Sequence, residues 1–246
     1  MSLRVDLLDS RFLLQGPATL LAELAAVVPA GAHNLAALEI DVADDVLTDV
    51  LTLLNMTALA QCRSFAVHAG VVAGPYGAIA LPAVSGAGKS TLVAACLRAG
   101  FGYVSDEALV LDWDSGDVQP YPKWLSLSPW SANHVGLVAG DDERAYPPKL
   151  LGTLAGPARL AHVVLPVRRP GPATLEPASR AAAAHRLLEM SFNHYQRPQR
   201  AFALVADLLK GAQAWQLGYE DATEGAHLVA AHLKDSAETT AVRGTA

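Results

Sequence analysis

From residue 83 to residue 91 the chain reads Ala83-Val84-Ser85-Gly86-Ala87-Gly88-Lys89-Ser90-Thr91, residue types that together suit the grip of a polyphosphate. Gly86 and Gly88 let backbone N–H groups turn inward around phosphate oxygens. Lys89 reaches the terminal phosphates, and the Ser90 hydroxyl is a ligand for Mg²⁺. A helix starting at Lys89 adds the positive end of its dipole. Ser85, Gly86, Ala87, Gly88, Lys89, Ser90 and Thr91 are therefore candidates for holding ATP or a close relative. The run matches the phosphate-loop pattern G-x-x-x-x-G-K-[ST] at every defined position but the first, where Ala83 replaces Gly; alanine is compatible there if its φ is negative. A glycine-rich turn with no ligand is the competing account, and Gly-Lys-Ser-Thr between an apolar strand and a helix argues against it. Two further candidates flank the loop in sequence, His68 before it and the acidic pair Asp106-Glu107 after it. Taken singly, a strand histidine is usually structural and an acidic pair at a strand break is usually solvated.

The elements that must position these groups follow from the hydrophobic pattern. Ser64 to Val72 and Gly77 to Leu81 are apolar runs separated by the turn-forming Gly74-Pro75, and read as paired strands leading into the loop. Lys89 to Arg98 carries strong helix formers and stops at Gly100, a C-terminal cap. A strand restarts at Phe101 to Val104, continues at Leu109 to Trp113, and turns at Asp114-Ser115-Gly116-Asp117 into Val118 to Leu127. Upstream, Leu3 to Leu8 and Leu35 to Val42 predict short strands, and Val46 to Cys62 a helix with Leu51, Leu54, Met56 and Leu59 near helical spacing. Downstream, Gly136 to Lys149 is rich in Gly, Pro and charge and reads as a surface loop and candidate lid. His162 to Val167 predicts a buried strand, Arg168 to Pro177 a Pro-rich connection, and Ala178 to Met190 and Ala201 to Gln213 two helices. The domain reading is a lead-in segment over 1–62 packed on the core, a main domain over 63–234, and a flexible tail over 235–246.

Composition narrows the classes. At 246 residues with 52% hydrophobic content the chain is a folded protein with room for one sizeable α/β core. Its apolar runs are broken well short of a membrane span, so no membrane partner is expected. A net charge of −6, with no basic cluster longer than Arg168-Arg169, gives no footprint for a nucleic-acid backbone. Two cysteines, Cys62 and Cys96, each among apolar residues, speak against a disulfide framework and for a reducing, cytoplasmic setting. Trp124, Trp130 and Trp215 read as core or interface aromatics rather than stacking platforms, since no basic cluster surrounds them.

Three segments taken together narrow the phosphate-loop class: Val67-His68-Ala69-Gly70-Val71-Val72, Ser85-Gly86-Ala87-Gly88-Lys89-Ser90-Thr91, and Gly102-Tyr103-Val104-Ser105-Asp106-Glu107. Their order and spacing resemble the HPr kinase/phosphorylase family, especially its small stand-alone relatives of peptide-modifying biosynthetic systems. The resemblance covers roughly residues 60 to 130 well and the rest in outline. It implies an α/β fold with a P-loop core of the HPr kinase/PEP carboxykinase-like type, a mixed twisted sheet and flanking helices. It also implies that Lys89 and Ser90 bind phosphate and Mg²⁺, while Asp106 and Glu107 supply a base for an acceptor hydroxyl and a metal-linked carboxylate. The assignment taken here is Asp106 as base and Glu107 as the metal-side partner. His68 would orient the base or touch the γ-phosphate. Lys123 matches a Pro-Lys segment of these kinases, where a cation would stabilise the transferring phosphate. Lys149 and Arg144 could close over the site from the loop.

The large N-terminal domain and the phosphorylase signature of the bifunctional members have no counterpart in the sequence, so neither phosphorylase activity nor HPr as substrate is implied. The leading expectation is an ATP- and Mg²⁺-dependent kinase acting on a hydroxyl, serine first, of a peptide or small-molecule acceptor. A nucleotide-binding partner protein of a biosynthetic or regulatory complex is the alternative, and a plain ATPase a third. Homo-oligomerisation is compatible with either. Asn193-His194-Tyr195 with Arg197 and Arg200 forms a polar patch that reads as interhelix capping before it reads as an acceptor site.

Overall fold

A computed structural model describes residues 1–28, 37–42, 47–84, 86–121 and 123–243, the last ten of these and Thr48 by their backbone alone. The chain opens with two antiparallel strands, β1 (Ser2–Leu7) and β2 (Ser10–Gln15), then α1 (Ala18–Val27), β3 (Leu38–Asp41) and α2 (Leu47–Ala60). Leu7 pairs with Ser10, so the hairpin turn is Leu8-Asp9, with Leu8 held at φ 53°. A two-residue hairpin needs a positive φ there and normally advertises it with Asn or Gly. Leucine gives no such signal, so the second strand has no local signature in the sequence. Val5, Leu7, Phe12 and Leu14 from the hairpin meet Leu24 and Leu54 from the helices. That cluster continues into Ala66, Ala108, Val110 and Tyr121, so the N-terminal segment shares a core with the main domain. Residues 35, 36 and 46, parts of the expected strand and helix, lie outside the described residues.

The main sheet starts at β4 (Phe65–Gly74), turns into β5 (Gly77–Pro82), and gives way to α3 (Lys89–Arg98), as expected. Next come β6 (Gly102–Ser105), β7 (Ala108–Leu111), β8 (Val118–Gln119), β9 (Leu125–Leu127) and α4 (Pro129–His134). The segment expected as a free loop contains β10 (Arg144–Tyr146), paired antiparallel with β9. The remainder is β11 (Leu160–Arg168), β12 (Thr174–Pro177), α5 (Arg180–Glu189), α6 (Pro198–Gly211), β13 (Gln213–Tyr219) and α7 (Ala222–Arg243). Residues 235–243, read as the start of a tail, are helical backbone at the end of α7. The chain is thus an α/β protein with a mixed eight-stranded sheet and seven α-helices among the described residues.

Strand order is β12-β13-β11-β5-β4-β7-β8, with β6 also pairing to β4. β5, β11 and β13 run parallel, and β4 runs antiparallel beside β5. Both faces of this centre are covered, as parallel strands require. Ile79 and Leu81 of β5 face α3 and α7, whereas Ala78 and Ala80 face α5 and α6. The phosphate-loop segment therefore leaves the carboxyl end of a buried parallel strand, the edge at which open α/β sheets place their ligands. No helix among the described residues is long and apolar enough to cross a membrane.

The β4–β5 turn tests this packing. Gly77 sits at φ +128°, and a Cβ there would lie 2.6 Å from the Arg159 carbonyl oxygen, which accepts the Ala78 N–H at 2.8 Å. Gly100 has φ +99° but open space around it. Gly77→Ala is expected to cost about 2–4 kcal/mol, backbone strain plus overpacking, against about 1–2 kcal/mol for Gly100→Ala, which meets strain alone. Denaturant midpoints of the two variants check it, and equal losses would show that the close carbonyl contact has no energetic weight.

Candidate functional site

The phosphate-loop segment has the backbone its sequence asks for. Gly86 and Gly88 lie at φ 79° and 81°, and Leu8, not Ala83, is the non-glycine residue with positive φ among those described. Alanine at the first motif position is thus compatible with the turn. Ser85 lies outside the described residues. Tyr219, at the end of β13, donates its hydroxyl to the Ala87 carbonyl at 3.3 Å and so ties the loop to the sheet. The α3 N-terminus carries no side-chain cap, which leaves its first N–H donors for a ligand. Gly88, Lys89, Ser90 and Thr91 all line the adjoining cleft. Lys89 is buried, and its stem lies against Gly70, where a Cβ would come 3.2 Å from Lys89 Cγ and 2.4 Å from Val93.

The acidic pair reaches the same cleft because the strand that carries it breaks. β6 pairs with Val71 to Ala73 of β4, and β7 pairs with Phe65 to His68. Asp106 and Glu107 occupy the gap between these two pairings. Ser105 Oγ accepts the Glu107 and Ala108 N–H groups at 3.1 and 3.0 Å, satisfying donors that a continuous ladder would have used. Asp106 is nearly wholly buried. Its Oδ1 lies 3.2 Å from the Tyr103 hydroxyl, which accepts the Asp106 N–H and donates at 2.7 Å to the Lys123 carbonyl. Lys123 Nζ stands 3.3 Å from both Asp106 Oδ1 and Glu107 Oε2. On the other side, Lys89 Nζ donates to His68 Nε2 at 3.0 Å, and His68 Nδ1 faces Glu107 Oε1 at 3.6 Å, with no acceptor in hydrogen-bond geometry. The groups form a continuous line: Lys89, His68, Glu107, Lys123, Asp106, Tyr103.

Neither models of known protein families nor curated proteins match this sequence.

Burial holds the Lys89 ammonium below its ordinary range, and the nearby Lys123 charge adds to this while Glu107 and Asp106 oppose it. Burial also depresses Lys123, but the two carboxylates outweigh it and the net shift is upward. His68 is lowered by burial first and by Lys89 second, against the pull of Glu107 and Asp106. A neutral His68 is the acceptor that Lys89 needs. Because its folded pKa lies below the unfolded one, the unfolded chain binds more protons as pH falls through about 6.5. The contribution of His68 to stability is therefore intact above that pH and lost below it. His68→Asn is expected to shrink the fall in unfolding free energy between about pH 7 and about pH 5. His162, also lowered by burial, keeps part of that fall. An identical pH dependence in the variant would show that His68 titrates in the folded protein as it does in the unfolded chain.

The cleft lined by His68, Lys89, Asp106, Glu107 and Lys123 has a volume of about 1280 Å³ and extends from the loop to the apolar side chains of α2. Among the described residues no three His, Cys, Asp or Glu side chains converge as a metal cage. A Mg²⁺ shared with phosphate oxygens needs only one or two protein oxygens and water, and the Ser90 hydroxyl and the acidic pair, oxygen donors of that kind, line the same cleft. Lys123, a weak expectation from sequence, stands at the centre of the site. Arg144 lines the cleft but is committed to Tyr146 and the Val138 carbonyl, at 3.0 and 2.9 Å. Lys149 is not among the lining residues.

Asn193 is a structural clamp on the segment that leads into β4 rather than the interhelix cap expected, since its side chain makes no cap hydrogen bond. It is buried, accepts the Ala66 N–H, and donates to the Cys62 and Ser64 carbonyls. Arg200 pairs with Asp114 and, with Arg197, lies over Trp113. Trp130 corrects its own reading: it is 55% exposed, lines the cleft, and has the Arg168 guanidinium 5.7 Å from its ring centroid. Sequence reasoning missed that pairing and the roles of Tyr103, Ser131 and Tyr219. Ser131 and Tyr219 join the site from distant segments that no local pattern marks, whereas Tyr103 stands three residues before Asp106 and only the fold aims its hydroxyl at that carboxylate.

Proposed function

We propose that this protein is an ATP- and Mg²⁺-dependent kinase that transfers the γ-phosphoryl group to a hydroxyl of a peptide or small-molecule acceptor, with serine the first acceptor to test. The observation that carries this reading is the convergence of Lys89, His68 and the Asp106-Glu107-Lys123 cluster on the cleft beside the uncapped start of α3. In the reaction the acceptor oxygen forms a bond to the γ-phosphorus, the bond from that phosphorus to the β–γ bridging oxygen breaks, and ADP leaves. The acceptor proton passes to a carboxylate, which we assign to Asp106. Lys89 and Lys123 supply positive charge where the transferring group carries negative charge. Ser90 and Glu107 are the residues for Mg²⁺, which would neutralise phosphate charge when bound.

The resemblance to the HPr kinase/phosphorylase family supports the same reading, and with it a core of the HPr kinase/PEP carboxykinase-like type. Cys62 and Cys96 are buried and unpaired, with burial raising their thiols to about 11 and about 12, which fits a reducing, cytoplasmic setting. One observation favours a second reading, a nucleotide-gated binding protein. Both carboxylates already contact Lys123, an arrangement that a site without turnover also satisfies. Incubation with Mg-ATP and a panel of free serine and serine-containing peptides separates the two, with products followed by mass spectrometry for an added phosphoryl group. A phosphorylated acceptor supports the kinase. Tight nucleotide binding with neither product nor ADP across the panel supports the binding protein.

A further inference from the structure

The cleft has a direction. His68, Asp106, Glu107 and Lys123 gather around Lys89, the residue that reaches terminal phosphates. From there the first turn of α3 leads through Ser90 to Thr91, whose Oγ1 lies 2.8 Å from Ser131 Oγ on α4. Ser131 follows Trp130 in the chain. A phosphate chain whose terminal group sits at Lys89 and whose other phosphates follow the α3 start is thereby led toward Trp130.

Trp130 is built as a platform. An indole more than half exposed forgoes most of the burial that normally holds tryptophan inside. Yet the ring is fixed from behind: His134 stacks on it with centroids 4.7 Å apart and planes 13° apart. His134 is held in turn by Asp221 Oδ2 at 3.4 Å and Thr223 Oγ1 at 3.2 Å, both at the start of α7. Arg168 ends β11, the strand beside β5, and its guanidinium lies over the indole. It is exposed and, among the described residues, has no carboxylate partner to hold it over the ring, so a base entering the stack displaces it from the indole face that His134 leaves open and keeps its charge alongside.

Resting on the phosphate-loop reading, we infer that Trp130, backed by His134 and flanked by Arg168, is the surface on which the base of the bound nucleotide stacks. Every nucleobase has a π-face, and stacking on an aromatic side chain contributes substantially per base while tolerating its identity. The guanidinium adds a cation to the same stack. The site therefore takes a nucleoside polyphosphate as a whole, gripping the base separately from the phosphates. It accepts purines ahead of pyrimidines through their larger contact area.

Calorimetric titration of the full chain with Mg-ATP and, in parallel, with Mg-tripolyphosphate tests this. Trp130→Ala is expected to weaken ATP about 10-fold or more while leaving tripolyphosphate unchanged, and Trp130→Phe to restore most of the ATP affinity. Unchanged tripolyphosphate binding also certifies that the variant is folded. ATP affinity equal to that of the unaltered protein, or an equal loss for both ligands, overturns the stacking assignment and leaves the loop reading standing. If the unaltered protein binds neither ligand, the loop reading fails and the base site with it.

Discussion

Replacing Lys89 by Met is expected to abolish phosphoryl transfer, by about 10²–10³-fold or more, without unfolding the protein. The two halves of that expectation have different origins. Lys89 Nζ stands 3.0 Å from His68 Nε2 in a buried position that depresses its own charge. Taking an ammonium out of water is unfavourable, so an apolar chain of similar length relieves a cost to the fold while removing the cation from the phosphates. The denaturant midpoint should stay level or rise as activity disappears. His68 reports the same event independently. Burial and then the Lys89 charge hold the His68 imidazole below its ordinary range, so it should titrate higher in the variant, read by NMR. Turnover within a few-fold of the unaltered protein would remove Lys89 from the chemistry.

The second large effect falls on the acidic pair. Asp106→Asn should lower transfer about 10²–10⁴-fold, the span of general-base removal, while Glu107→Gln should chiefly raise the Mg²⁺ concentration needed. Burial separates their consequences for stability. The Asp106 side chain is 1% exposed and shares Lys123 with Glu107. Its loss leaves that ammonium one carboxylate, so the cost should be about 1–3 kcal/mol, below the ~3–5 kcal/mol of a fully orphaned buried charge. Activity titrated against Mg²⁺ at saturating acceptor checks the division. Recovery of Asp106→Asn, but not Glu107→Gln, at high Mg²⁺ would exchange the two roles.

Gly86 to Thr91 is legible in the sequence because a phosphate is held by contiguous backbone, so residue types and spacing suffice to state the chemistry. The β4–β5–α3 unit is equally legible, since its alternation, turn and capping signals are local. Elsewhere the local signal is absent or misleading. Leu8 occupies a glycine-like turn, β12 has the composition of a connection, and β13, Gln213–Tyr219, alternates too weakly to declare a central strand. Its partners β11 and β12 supply the pairing that makes it a strand, from far along the chain.

The same division runs through the site. His68, Asp106 and Glu107 can be nominated from sequence, but adjacency in sequence says nothing about which face of a sheet they meet on. The Ser105 kink and the antiparallel pairing to β4 decide that, and they bring Lys123 and Tyr103 to the acids. Trp130 and Arg168 are far apart in the chain and become neighbours only because β11 lies beside β5 and α4 contacts the start of α3. The sequence by itself determined a glycine-rich turn into α3, of the residue types a phosphate grip requires, and the chemical groups available beside it. Tertiary structure alone decided which of them share one cleft, because long-range strand pairing, unlike a turn or a cap, leaves no mark in any short stretch of residues.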